Sequence, residues 1–308
     1  MSEQGNPAGV RLRLPATSAN LGPGFDAVAV ALDFGLEIEA TPAGEFSIVA
    51  TGRDAERCAR LDDNLILEAY KKLLREHGRP MVPLAIRMTN GIPLGMGFGS
   101  SAAGRLAAIA LANHFGRLDW KTDRILEEAY VLEGHPDNVA ACWLGGFVTA
   151  VCEGKKVHAA RVEPPEDWRA IVAFPAEPLA TSKARALLPA SYLIGDVVAN
   201  LQSVATLGLA FAQGRGDLLR MAMSDRIHQP FRAPVCPLLR LLLPLVGKSG
   251  ILGVALSGAG PAVLVVVDEE KHLAAASKEI ESAAQFGAPA ELMACRFSCD
   301  GASDSIEN

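Results

Sequence analysis

No Cys-x-x-Cys pair occurs in the sequence, and no cysteine–histidine spacing of the kind that holds zinc. The six cysteines (Cys58, Cys142, Cys152, Cys236, Cys295, Cys299) are scattered in mostly apolar context. They read as reduced thiols of an intracellular protein, not as a disulfide framework. No patch of lysine and arginine stands out, and the net charge is −6. That argues against nucleic acid as a partner and for a soluble, mildly acidic surface. The N-terminus is polar and lacks a signal-peptide pattern, so the expected compartment is the cytoplasm. A membrane span is not expected either. The uncharged run Gly250–Val267 holds four glycines, a serine and a proline, which is a strand–turn–strand pattern. Internal repeats and low-complexity tracts are missing. So is a Walker loop, because no Gly-Lys-Ser/Thr follows the main glycine cluster. The spacing of that cluster also excludes the dinucleotide fingerprint.

What the chain does have is Pro93-Leu94-Gly95-Met96-Gly97-Phe98-Gly99-Ser100-Ser101-Ala102-Ala103. Glycines at alternate positions allow positive φ and let a ligand approach where a Cβ would stand. The helix that follows offers free N–H groups and the positive end of its dipole. Together they suit a polyphosphate, held by backbone amides and the hydroxyls of Ser100 and Ser101. A tight strand-to-helix turn without a ligand is the competing reading of this stretch alone.

The 308 residues are half apolar and about one-fifth charged, enough for a full core in one large domain or two medium ones. Residues 1–8 are small and polar and are expected to be disordered. Val10–Leu14 alternates like a strand, and Pro15–Asp26 reads as a loop crowded with Pro, Gly, Asn and Ser. Leu36–Ala40 and Phe46–Ala50 read as strands around a turn, and Asn64 closes a cap before a helix ending at Gly78. Leu84–Met88 is a strand. Ser101–Phe115 is a helix whose only charge is Arg105, hence a buried one. Thr122–Glu133 is a helix capped by Thr122 or Asp123, and Glu133–Asn138 is a second polar loop before a strand entered at Gly145. Ala170–Phe174, Ile251–Leu256, Ala262–Val267 and Ala290–Phe297 read as strands. Ser182–Leu187, Val197–Ala212, Asp217–Met223, Leu238–Val246 and Glu269–Ala284 read as helices, and the acidic tail as loose. The mixing lacks strict alternation, so the expected class is α+β.

Four polar loops interrupt this apolar chain: Pro15–Asp26, Pro93–Ser101, Glu133–Asn138 and Ser257–Pro261. The glycine loop resembles the phosphate loop of the GHMP kinases, with Phe98 where leucine is usual. Ala19–Asp26, Glu133–Val139 and the Thr181…Arg185…Pro189 stretch resemble the homoserine kinase signatures of that superfamily, and Ser257–Pro261 its C-terminal glycine motif. The resemblance runs from about Val10 to Phe297. It implies a two-domain fold, 1–165 similar to ribosomal protein S5 domain 2 and 166–308 ferredoxin-like, with the active site between. It also implies ATP and Mg²⁺ as cofactors, L-homoserine as substrate and a homodimer among the assemblies relatives form. Leu238–Leu245 is apolar enough for a dimer face, though an ordinary core helix explains it as well.

The same resemblance assigns roles. Pro93–Ala103 holds the ATP phosphates. Ser101 and Glu133 are the metal ligands, with Glu127 and Glu128 as alternatives because the spacing to Asn138 is short. Asp26 is matched to the substrate ammonium, Arg185 and Arg232 to its carboxylate, and Asn20 and Asn138 to the hydroxyl or amine. Each has a plainer reading: a cap for Asp26, ion pairs for the arginines, loop formation for the asparagines. Asn138 stands where mevalonate kinase has an aspartate, which implies transfer without a dedicated base. Asp137 beside it is the remaining candidate base, and His135 reads as structural. The alternatives are a kinase for another small alcohol and a silent relative that binds nucleotide as a sensor.

Overall fold

The computed structural model describes residues 8–285 and 287–306. They run β1 (Val10–Asn20), β2 (Gly24–Pro42), β3 (Ser47–Gly52), α1 (Ala55–Cys58), α2 (Leu65–Glu76), β4 (Leu84–Asn90), α3 (Ser100–Phe115), α4 (Thr122–Glu133), α5 (Asp137–Leu144), β5 (Phe147–Glu153) and β6 (Lys156–Val162). The second half runs β7 (Arg169–Phe174), α6 (Thr181–Arg185), α7 (Ile194–Gln213), α8 (Gly216–Ala222), α9 (Gln229–Arg232), α10 (Pro237–Leu242), β8 (Ile251–Leu256), β9 (Val263–Val267), α11 (Leu273–Ala284) and β10 (Glu291–Arg296).

Strands β1–β6 form one sheet, ordered β3-β4-β2-β5-β6 with β1 on β2. Strands β7–β10 form a second, antiparallel sheet ordered β10-β7-β9-β8. Numbered from β7, that order is 4-1-3-2, with α11 between the third and fourth strands: the ferredoxin-like topology. We propose the division at residue 165, between the last strand of one sheet and the first of the other.

Local chemistry accounts for the elements that frame the site. Asn64 starts α2 by accepting from the N–H groups of Ile66 and Leu67. Helix α3 is almost wholly buried, as its Ala-rich, nearly uncharged sequence requires. Phe98 has no solvent exposure and meets Phe34 and Phe174 edge-on, one ring on each sheet. One large core therefore spans both sheets, and a second one fills the space under α10 and α11. Leu238, Leu239, Leu242 and Leu245 belong to that second core, so the core reading of this helix is the right one.

Several expectations are corrected. Pro15–Asp26 is mostly strand: β1 continues to Asn20 and a tight turn opens β2, because irregularities in the β1–β2 register absorb Pro15 and Asn20. The expected polar loop ends sooner than its composition suggests, since Asp137 and Asn138 already belong to α5. Lys121 occupies the α4 cap position without a side-chain bond, and neither Thr122 nor Asp123 does. Within the described residues, to Ile306, the acidic tail is not loose: Phe297 bridges to Leu32, and Ser305 bonds the backbone of Arg13. The disorder expected for residues 1–8 falls, except for Ala8, outside the described residues. Helix α7 is long and apolar enough to cross a membrane by length and composition, with 22% of that window buried. It packs Leu207, Ala210 and Phe211 into the core and bonds Pro23 through Asn200.

Candidate active site

The glycine loop lies where the two sheets meet. Every carbonyl from Gly95 to Phe98 is tied away from the cavity: Gly95 to the Leu179 N–H (3.3 Å), Met96 to the Ala262 N–H (3.2 Å), Gly97 to the Ser257 hydroxyl (2.7 Å) and Phe98 to the Thr17 N–H (3.1 Å). The N–H groups from Gly95 to Ala102 donate no hydrogen bond among the described residues. Burying or crowding such donors is unfavourable unless a partner arrives. Gly97 and Gly99 have φ of +95° and +68°. A Cβ on Gly97 would collide with the Ser257 carbonyl, and one on Gly99 with the Thr17 hydroxyl. The result is a concave row of donors capped by the α3 N-terminus, which is suited to an anion.

Gly95, Gly97, Gly99, Ser100 and Ser101 line a cavity of about 140 Å³. Among the other expected loop residues, Phe98, Ala102 and Ala103 are fully buried. Their side chains serve the core, and only their backbone bears on a ligand. Pro93, Leu94 and Met96 line a neighbouring depression instead.

At the far wall Ser101 donates to Glu133 at 2.9 Å, and Arg105 pairs with the same carboxylate. A hydroxyl and a carboxylate, both hard oxygen donors beside the row of N–H groups, fit Mg²⁺ with phosphate oxygens and water completing its shell. Arg105 balances the buried carboxylate. As the lone charge of an apolar helix, it was the sequence's signal for such a partner.

Asp137 and Asn138 sit at the start of α5, both buried. Asn138 accepts from the Thr17 hydroxyl at 2.7 Å, so its amide is held by β1. Asp137 Oδ1 accepts from the Asn138 N–H (2.7 Å) and meets His135 Nδ1 at 2.9 Å. Burial alone depresses the His135 pKa. The hydrogen bond to Asp137, and the charges of Asp137, Glu133 and Asp26, more than reverse this, so the imidazole is held above its ordinary value.

The opposite wall is cationic. Arg185, from α6, makes two hydrogen bonds to Asp26, which raise its pKa against the opposing effect of burial. Arg232, from α9, is buried, and its pKa is lowered by burial first and then by the Arg185 charge. Its short helix is fixed by Asp225, which accepts from the N–H groups of Ile227, His228 and Gln229, and by Gln229, which accepts from Leu256 N–H on β8. Asn20 spends its side chain on backbone, donating to the Gly258 carbonyl (2.8 Å) and accepting from the Asp26 N–H (3.0 Å). All the residues expected at the substrate end line the one cavity: Asn20, Asp26, Asn138, Arg185 and Arg232.

With this geometry in hand, comparison with known proteins is direct. Residues 64–146 match the GHMP kinases N terminal domain and residues 209–285 the GHMP kinases C terminal domain. The homoserine kinase of Solibacter usitatus is 44% identical over 255 residues, covering 82% of this chain and 84% of the relative. This chain belongs to the homoserine kinase family of the GHMP kinases. The homoserine kinase of Carboxydothermus hydrogenoformans is 37% identical and covers 95% of this chain and 96% of its own. Among solved structures, the homoserine kinase from Cytophaga hutchinsonii superposes with a TM-score of 0.81 at 23% identity, covering 100% of this chain and 99% of that one. The L. major mevalonate kinase does so with a TM-score of 0.70 at 15% identity, covering 93% and 96%. The latter two establish the shared fold.

Sequence reasoning did not place Thr17 or Phe25 in the site, nor a second, more apolar cavity of about 330 Å³ beside the loop. That cavity is lined by Asn64, Leu65, Ile66, Met88, Asn90 and Ile92 among others, and opens onto Gly95, Ser100 and Ser101. Nothing local in the sequence marks it, since its walls come from α2, β4 and α3.

Proposed function

We propose that this protein transfers the γ-phosphoryl group of ATP to the side-chain hydroxyl of L-homoserine, forming O-phospho-L-homoserine for threonine biosynthesis. The observation that carries the reading is that Gly95, Gly97, Gly99, Ser100 and Ser101, whose N–H groups donate no hydrogen bond among the described residues, line the same cavity as Asp26, Arg185 and Arg232. Homoserine kinase relatives over most of the chain support it.

Phosphoryl transfer asks a protein mainly for positioning and charge stabilisation. Gly95–Ser101 hold the phosphates and the apolar cavity beside them receives the nucleoside. Ser101 and Glu133 hold Mg²⁺, which when bound neutralises phosphate charge. Asp26 takes the substrate ammonium, and Arg185 and Arg232 its carboxylate. Asn138, held by Thr17, orients the hydroxyl, and Asn20 shapes the turn that presents Asp26. No dedicated base is invoked: the hydroxyl proton passes to the phosphate, with Asp137 alongside. A cytoplasmic location and a homodimer belong to the same proposal, on family likeness. The net charge of −6 supports the absence of a nucleic-acid partner.

The test is ADP release with ATP and Mg²⁺, comparing L-homoserine with mevalonate, L-serine and L-threonine. Selective turnover of homoserine is expected. Turnover of mevalonate alone overturns the substrate assignment, and ATP binding without any turnover overturns the enzymatic one.

A further inference from the structure

Phe25 is a neighbour shared by the two arginines. The guanidinium carbons of Arg185 and Arg232 each lie 5.3 Å from its ring centroid. The ring also stacks on His228, with centroids 5.3 Å apart and planes 30° from parallel. His228 is fully buried and its Nε2 meets the Gly22 carbonyl at 2.7 Å. A carbonyl only accepts, so Nε2 carries the proton and Nδ1 is free to accept. Its partner there is Arg232 Nη1, at 3.1 Å. One turn of chain, Gly22 to Phe25, thus holds both the imidazole that orients Arg232 and the ring on which both guanidiniums rest.

Two neighbouring cations repel, and the arginines come from separate helices with no hydrogen bond between them. The π face of an aromatic ring is negative and attracts a guanidinium without consuming its N–H donors. Asp26, by contrast, occupies two donors of Arg185. The ring draws both arginines together and takes up none of their N–H donors: Arg232 Nη2 carries no hydrogen bond among the described residues, and the Arg185 fork is held only by Asp26, which a substrate ammonium would engage.

We infer that Phe25 is a positioning residue, a shared cation–π platform that sets the spacing of Arg185 and Arg232 for a substrate carboxylate. This rests on the homoserine reading above. Its action is through the arginines and not on the reacting atoms, so it belongs in KM for homoserine and not in kcat or in KM for ATP.

The experiment compares the wild type with Phe25→Leu and Phe25→Tyr, and with 3,4,5-trifluorophenylalanine introduced at position 25. The fluorinated ring keeps its shape but loses its negative face, so it separates electrostatics from packing. Phe25→Leu is expected to raise KM for homoserine about tenfold, with kcat and KM for ATP within about twofold. The fluorinated protein should show the same direction at unchanged melting temperature, and Phe25→Tyr should restore the wild-type value. Should Phe25→Leu fail to fold, the fluorinated protein alone decides. An unchanged homoserine KM in that protein overturns the inference. A wild type without homoserine turnover overturns the underlying reading instead, so the two failures are distinct.

Discussion

Arg185 and Asp26, 159 residues apart in the chain, face each other with paired hydrogen bonds, Nη1 to Oδ2 at 2.9 Å and Nη2 to Oδ1 at 2.6 Å. Each side chain is about one-third exposed, at 37% and 32%. The groups assigned to the substrate carboxylate and ammonium are therefore joined to each other in this structure. A zwitterion can replace this one ion pair by two. A molecule with a single charge satisfies one partner and strands the other. Accordingly 3-amino-1-propanol and 4-hydroxybutanoate should each show kcat/KM about 100-fold or more below that of homoserine. Turnover of either within tenfold of homoserine would sink this account.

The same pairing makes the two residues non-additive. Arg185→Ala and Asp26→Ala should each raise KM for homoserine by about 10- to 100-fold while KM for ATP stays nearly constant. The double variant should be milder than the product of the single effects, since neither loses a partner it still has. Steady-state kinetics on the four proteins reads the coupling, and strict additivity would contradict it.

Gly99→Ala should damage both chemistry and stability. The new methyl would strike the Thr17 hydroxyl, which holds Asn138 at 2.7 Å, and the backbone sits at φ +68°. Left-handed backbone with a side chain costs about 1–3 kcal/mol, so a fall of several degrees in melting temperature is expected. Loss of the phosphate cradle should cut kcat/KM for ATP about 100-fold or more. A variant with wild-type kinetics would remove the loop from the mechanism.

Glu133→Gln leaves the Arg105 guanidinium without its carboxylate and removes one proposed metal ligand. The Mg²⁺ concentration for half-maximal rate should rise about tenfold or more, as should that of Ser101→Ala to a smaller extent. Glu127→Gln and Glu128→Gln should leave it unchanged, because both carboxylates pair with Arg124. Magnesium titrations of these variants decide among the carboxylates.

Two histidines should shape stability on opposite sides of the ordinary histidine pKa. Burial, the leading cause, lowers the His228 pKa. Below about 6.5 the unfolded chain takes up a proton that the folded one refuses, so stability falls on acidification, by at most about 1.4 kcal/mol per pH unit. His135 is raised instead, so its contribution is complete below about 6.5 and fades as pH climbs through its folded value. Urea unfolding between pH 5.5 and 8.5 should show both limbs. His135→Gln should flatten the alkaline limb and spare the acid one.

The glycine loop, the α2 cap at Asn64 and the apolar α3 were legible because each is a local signal: φ-permissive residues, a capping amide and a nearly uncharged run. The ends of strands were less so. Pro15 and Asn20 look like loop formers, yet pairing with β2 carries the strand through them, and pairing is set by a partner rather than by the segment itself. Strand β6 was missed because its exposed face and its inward face alternate poorly between His158 and Arg161. At the site, Asn20, Asp26, Asn138, Arg185 and Arg232, which the resemblance singled out, line one cavity. The resemblance did not reveal that Asp26 and Arg185 bind one another, a contact that only the folded chain creates.

The loop's tied carbonyls have one further consequence. Phe98 is anchored from Thr17 in the first sheet's strand β1, while Met96 and Gly97 are anchored from the turn between β8 and β9. Neither part of the chain owns the proposed nucleotide cradle. If the polypeptide were cut between Val162 and Arg169 and the pieces produced separately, each would be inert. Activity would return on mixing and rise with the concentration of both, so that the enzyme would report the reunion of its own fragments.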